Sequence, residues 1–208
     1  SYILKVVSPN VDIITSAELT ATSTQYKEFE HVGTITGTTY IGKTAKNGEN
    51  IQISDNGTRG DGIVSIKSKG YIRSITITFV TSDKQVDIYG SELPYNSSKD
   101  LYNNNTRGAS LGSLMASGGE YTKTLTIADD TNIPHIGIRA KDGAVQIEEI
   151  AIEWEMYDLV REVNKGYYGT ICLKNNVVKY DGATFFEVAG KEDNKLVFDE
   201  VTELEAGK

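Results

Sequence analysis

Cysteine, proline, histidine and tryptophan are all scarce in this 208-residue chain, which has one Cys, three Pro, two His and one Trp. The lone Cys172 cannot pair within the chain, so no intrachain disulfide supports the fold. That scarcity fits the cytosol and equally the secreted proteins of anaerobes. His31 and His135 stand beside no nucleophile motif and no metal-ligand spacing, and H-E-x-x-H does not occur. Catalysis has no support in the sequence. Net positive charge is missing as well: the formal charge is -8 and no basic stripe offsets it, which argues against nucleic acid and anionic membranes as partners. No apolar run approaches the roughly 18 residues that a membrane-spanning helix requires. No signal peptide opens the chain, and because a strand-like run is already under way at Ser1, a leader removed upstream is compatible with it.

What is present suits one full domain and something smaller. Charged residues make up 24% and hydrophobic residues 38%, with 20 glycines. A domain of about 150 residues buries roughly 68–70% of its unfolded surface, enough to dispense with disulfides or metal.

Apolar residues recur at every second position, the period of a strand with one buried face. Residues 2–7 and 11–14 read as short strands broken at Pro9-Asn10. Residues 16–39 are rich in Thr, Ser and Ala, with Phe29, Val32 and Ile35 as inward positions. Ile51 and Ile53 alternate between the turn dipeptides Asn47-Gly48 and Asn56-Gly57. Residues 63–68 form the next strand. Over 71–80, Ile75, Ile77 and Phe79 face in while Ser74, Thr76 and Thr78 face out. Val86 and Ile88 oppose Asp87 and Tyr89, Leu125 and Ile127 alternate with Thr124 and Thr126, and Ile136 and Ile138 alternate with His135, Gly137 and Arg139. The last run changes phase, odd at Val145 and Ile147 but even at Ile150, Ile152 and Trp154, which predicts a β-bulge at Glu148-Glu149. Trp154 is expected in the core. Arg139, in mid-strand, needs a carboxylate, with Asp87, Glu148 and Glu149 as candidates.

Residues 156–166 lose the alternation and read as a short helix or linker. Strands follow at 168–173, 177–180, 184–188 and 196–201, with Asp181-Gly182 as a hairpin turn. The expected organisation is a β-sandwich domain over 1–156, then a linker and partial β domain over 157–208. The latter is too small for its own core and should lean on the sandwich or on a neighbouring chain.

Several motifs have ordinary readings. Residues 37–44 match the phosphate-cradling G-x-x-x-x-G-K-[ST], but the interior is β-forming and an alternating strand follows instead of a helix, so a strand and turn are expected and no nucleotide. Arg59-Gly60-Asp61 spells an attachment tripeptide in a turn-rich segment, where a solvated loop is the simpler reading. Asp55, Asn56 and Asp61 offer calcium-type oxygens in no EF-hand spacing. Glu153 and Glu155 share a strand face, as a solvated acidic edge more readily than as a glycosidase pair. Asn56, Asn96 and Asn104 lie in N-x-[ST] triplets. No cofactor or metal site is indicated.

The segment 94–109, PYNSSKDLYNNNTRGA, is the longest polar loop, and loops of that length in compact domains are functional or mobile. Tyr95 and Tyr102 offer flat apolar faces beside Asn96, Asp100, Asn103 and Arg107, which suits a sugar's C–H faces and hydroxyls. These six residues are the candidate ligand site. The competing reading is that the tyrosines pin the loop to the sandwich rim.

YIGKTAK from Tyr40, IQISDNGTRGDGIVSIKSKG from Ile51, VDIYGSELPY, DLYNNNTRGASLGSL and IGIRAKDGAVQIEEIAIEW together resemble a β-sandwich module of secreted and surface proteins of gut Bacteroidetes. Ala140 stands where relatives carry serine. The likeness covers about 17–155. YYGTICL, GATFFEVAGK and VTELEAGK resemble the opening of a second Bacteroidetes surface module. The resemblance implies a noncatalytic, jelly-roll-like accessory module outside the cell or on the outer-membrane surface, with no catalytic residues to carry over. It binds glycan or supports adhesion to a host or cell-surface protein on this reading. The alternatives are a structural spacer in a larger surface protein and a carbohydrate-active enzyme.

Overall fold

Alternation of β-branched and polar side chains yields strands because each strand can bury one row against a facing layer and hydrate the other. The computed structural model describes residues 10–128, 130–156, 185–192 and 195–201. By its contacts the chain divides into two units, Ser1–Met156 and Tyr157–Lys208.

The first unit carries β1 (Asn10–Ile14), β2 (Lys27–Val32), β3 (Thr39–Asn47), β4 (Asn50–Ile53), β5 (Gly62–Lys67), β6 (Gly70–Phe79), β7 (Gln85–Ser91), β8 (Ala109–Met115), β9 (Thr122–Thr126), β10 (His135–Lys141) and β11 (Val145–Met156). All pair antiparallel in the order β8-β7-β10-β5-β3-β4-β11-β6-β9, with β1 added to β11 and β2 to β3. β3 joins two layers. Its residues 39–44 pair with β2 and β5, and Ala45, Lys46 and Asn47 turn through the Asn47-Gly48 hairpin to pair with β4. Helix among the described residues is limited to two short 3₁₀ turns, Ser16–Glu18 and Ser98–Tyr102. The described residues are thus all-β, and those of the first unit form the expected antiparallel sandwich, nearly closed on itself.

One apolar cluster fills the space between the layers. Ile75, Ile77, Phe79, Ile150 and Ile152 come from one side, and Ile63, Val86, Ile88, Ile136 and Ile138 from the other. Each fully buried isoleucine contributes on the order of 1.5–3 kcal/mol by leaving water. The phase change in β11 is a bulge: Ile147 faces Phe79 while Glu149 faces Thr78, leaving exposed Glu148 as the extra residue. A second irregularity answers it on β6. Glu153 pairs with Ser74 but Trp154 with Ile72, so Arg73 is skipped and Ile72 points inward in even phase, although Ile75, Ile77 and Phe79 are odd.

Trp154 is 1% exposed and anchors a buried polar chain. Its Nε1–H donates to the Tyr40 hydroxyl at 2.9 Å, and that hydroxyl donates to Asp12 Oδ2 at 2.9 Å. The Thr36 hydroxyl also donates to Oδ2, and the Thr36 N–H reaches Oδ1 at 3.3 Å. Each member of this chain therefore finds a partner, the condition for placing an aspartate in a core. Burial, with the neighbouring Asp12 carboxylate, raises the Tyr40 phenol well above its ordinary value.

Two expectations for the first unit are corrected. Val32 and Ile35 are exposed, at 51% and 62%. Phe29 sets the inward phase of β2, which sends Val32 outward, and Ile35 rides on a turn closed by Gly33 N–H to Thr38 O and Gly37 N–H to Gly33 O. Asp87, Tyr89 and His135 occupy the outward row yet are buried, because that face is covered.

In the second unit β12 (Phe185–Glu192) and β13 (Lys195–Val201) form an antiparallel pair with an irregularity between Val188 and Gly190. The strands expected at 2–7, 168–173 and 177–180, the Asp181-Gly182 turn, the 157–166 segment and Cys172 lie outside the described residues.

Candidate functional site

The cover over the outer row is the long polar segment itself. Outward-facing Ile41, Val64, Ile66 and Tyr89 form a second apolar cluster with Tyr95, Leu101 and Tyr102 of the segment. The 3₁₀ turn Ser98–Tyr102 starts at Ser97, where Asp100 Oδ2 accepts the N–H of Asn96 at 2.7 Å and of Ser97 at 3.3 Å. That turn drives Leu101 into a slot left open by glycine. A Cβ on Gly137 would collide with Leu101 Cδ2, and one on Gly62 would lie 3.0 Å from Cδ1. Leu101 is fully buried there.

Hydrogen bonds tie the segment down at each end. The Tyr95 hydroxyl donates to Arg107 O at 2.8 Å, Ser98 Oγ donates to Gly60 O at 2.6 Å, and the Tyr102 hydroxyl donates to Asp61 O at 2.8 Å with Ser54 O at 3.2 Å. Asn103 Oδ1 accepts Asn105 N–H at 2.9 Å, and Thr106 Oγ1 donates to Asp100 O at 3.0 Å. Burial pushes the Tyr95 phenol up, and pushes the Tyr102 phenol up to about 12. Both hydroxyls are therefore neutral donors at any physiological pH.

Beneath the segment, guanidinium groups and tyrosine rings alternate. Arg139 lies 5.2 Å from the Tyr102 ring and 5.3 Å from the Tyr89 ring, and its Nη1 donates to Leu101 O at 3.0 Å. Its carboxylate partner is Asp87, directly across the strand pair and 3.6 Å from Nη2; neither Glu148 nor Glu149 fills that role. Burial alone would raise the Asp87 carboxyl, but hydrogen bonds from Gln85 and Ser113 and the charges of Lys141 and Arg139 hold it below its ordinary value. Arg107 lies 5.4 Å from the Tyr89 ring on the segment's return leg. Farther along, Arg59 sits 3.8 Å above the Tyr26 ring.

The six candidate residues thus share one segment but differ in access. Tyr95 is 3% exposed, so its ring faces are covered by protein. Tyr102 and Asp100 are half-buried with their polar atoms engaged, whereas Asn96 and Asn103 are exposed and Arg107 is half-buried with its guanidinium on a ring. Three further residues hold this surface together: Leu101, Tyr89 and Gly137. Leu101 stands out in the sequence as an apolar residue inside a polar run; the other two carry no signal of what covers them.

The remaining motifs have structural uses. Arg59 Nε donates to Asp61 Oδ1 at 2.6 Å and Nη2 pairs with Oδ2, so the attachment tripeptide closes on itself, and Asp61 is buried. Asn56 Oδ1 accepts Arg59 N–H at 2.9 Å. Residues 37–44 form a turn and the first part of β3. Glu153 accepts from Ser74 Oγ at 2.8 Å, and Glu155 takes the Arg73 fork, with Nε at 2.7 Å. His31 stacks on Tyr40, and burial lowers the His135 imidazole below its ordinary value.

No protein-family model and no curated protein matches the sequence. Among solved structures, a low affinity xylan binding module from the xylanolytic gut symbiont Roseburia intestinalis aligns with 70% of this chain and 96% of its own length. Identity is 10% and the TM-score 0.30. Among the described residues no helix is long and apolar enough to cross a membrane.

Proposed function

We propose that residues 1–156 form a noncatalytic module of a secreted or surface protein that binds glycan through the rim built by residues 94–109, with 157–208 beginning a further β unit. The observation that carries this reading is the segment's construction. Buried Tyr95 and Leu101 and the Asp100 cap fix it from beneath, while Asn96, Asn103, Asn104 and Asn105 are exposed along its outer side. Exposed amides on a backbone that is already held suit hydroxyl-rich ligands, because each amide both donates and accepts and the segment itself loses little ordering entropy on binding. The carboxylates Glu153 and Glu155 are each engaged by neighbours on their own sheet, which supports a noncatalytic role.

A second reading, a spacer within a larger surface protein, is favoured by the burial of Tyr95 and by the use of both tyrosine hydroxyls to hold backbone carbonyls. A glycan array of the 208-residue chain against its Asn96→Ala/Asn103→Ala variant separates the two. Saturable binding that falls in the variant at unchanged melting temperature supports the binding module. Absence of binding across the array gives the spacer reading.

A further inference from the structure

Four arginines lie among the described residues, and three of them face a carboxylate: Arg59 with Asp61, Arg73 with Glu155, Arg139 with Asp87. Arg107 is the exception. Its guanidinium makes no hydrogen bond or ion pair with any described residue and only lies over the Tyr89 ring at 5.4 Å.

Its backbone, in contrast, is held from three directions. The Arg107 N–H donates to Asn103 O at 2.9 Å, its carbonyl accepts the Tyr95 hydroxyl at 2.8 Å, and the next residue, Gly108, turns at φ 80° so tightly against β7 that a Cβ would collide with Gly90 O. Gly108 is therefore irreplaceable by ordinary L residues, and it delivers Arg107 to one place on the Tyr89 ring. A ring beneath a guanidinium restrains its plane without using its N–H donors. The result is a positioned, half-exposed cation with a free donor fork on a chain of net charge -8.

We propose that Arg107 is the docking point for the carboxylate of an acidic sugar, so that the glycan bound at this rim contains a uronic acid. This inference rests on the glycan reading above and narrows it. A planar carboxylate matches the guanidinium fork with two parallel N–H···O bonds, which a neutral hydroxyl cannot do. Nearby Arg139 adds no free charge, because Asp87 neutralises it, and exposed Lys99 of the same segment offers a point charge without the planar fork.

The test uses the 208-residue chain and three uronate oligosaccharides, from polygalacturonate, glucuronoxylan and hyaluronan, each beside its carboxyl-reduced form. Affinities are measured by calorimetry for the wild type, Arg107→Gln and Arg107→Lys. The expected result is that at least one acidic form binds about tenfold or more tighter than its reduced counterpart, as loss of a charge-assisted pair predicts. Arg107→Gln should erase that preference, and Arg107→Lys, which keeps the charge and the ring contact, should lose it in part. The lysine variant keeps the test decisive if the glutamine variant fails to fold. Equal binding of acidic and reduced forms, or a preference that survives Arg107→Gln, overturns the uronate assignment and leaves glycan binding standing. Absence of binding to every acidic and neutral glycan overturns both.

Discussion

Gly137→Ala is the sharpest probe of how the polar segment is held, because packing and chain entropy predict opposite signs. Gly137 lies within β10 and is not among the residues with positive φ, so its backbone suits any L residue. On that ground alone the substitution should stabilise by about 0.4–1 kcal/mol, since the unfolded chain loses freedom. The added methyl, however, enters space occupied by Leu101 Cδ2 and stands 3.1 Å from the Tyr95 hydroxyl and 3.2 Å from its Cζ. Overpacking of this kind costs about 1–3 kcal/mol. The net expectation is a loss of up to about 2.6 kcal/mol, taking these two opposed effects together. Leu101→Ala alone should cost about 2–5 kcal/mol, since Leu101 is fully buried. In the double variant the new methyl occupies the vacated slot, and the combined cost should fall short of the sum by about 0.5–3 kcal/mol. Urea unfolding followed by fluorescence of Trp154, the chain's only tryptophan, measures all three. A stabilised Gly137→Ala, or additive costs in the double variant, would refute the packing of the segment on β10.

Tyr40→Phe should destabilise by about 1–3 kcal/mol, because it leaves Trp154 Nε1–H and a lone pair of Asp12 Oδ2 buried without a partner; a urea midpoint equal to wild type contradicts this. The His135 imidazole, held below its ordinary value chiefly by burial, takes up a proton more readily in the unfolded chain. Stability should therefore decline as pH falls below the ordinary imidazole value of about 6.5, since the unfolded state then binds more protons. Replacing His135 by Asn should flatten the urea midpoint between pH 7.5 and pH 5.5, test conditions that bracket that value to about one unit; a slope that persists assigns the effect to other groups.

Strand placement was readable wherever the phase of apolar residues reports on the core. Val145 and Ile147 against Ile150 and Ile152 place the bulge at Glu148-Glu149, where Glu148 is the extra residue, whereas the skipped Arg73 on β6 emerges from the pairing of Trp154 with Ile72. The partner of Arg139 was readable only as one of three carboxylates, because cross-strand register decides among Asp87, Glu148 and Glu149 and register is a long-range property. Burial of Asp87, Tyr89 and His135 was not readable at all. Alternation distinguishes two faces of a strand but carries nothing about a segment arriving from elsewhere to cover the second face. The same limit applies to Tyr95. A tyrosine in a polar run has one appearance in sequence whether its ring faces water or the neighbouring sheet, and here Gly137 and Gly62 open the slot that draws the segment inward. Val32 turns outward because Phe29 fixes the phase of β2 and the two are three residues apart, an odd spacing that puts them on opposite faces.

Ligand binding at the rim of residues 94–109, as proposed, is checked by an amide NMR titration of the 208-residue chain with the tightest glycan from the array. Saturating shifts confined to residues 96–107 and the adjoining Gly57–Asp61 turn, with the Thr76, Thr78, Thr122 and Thr124 face unmoved, are the predicted result. Shifts centred on that threonine face, or no shift with any glycan, would contradict it.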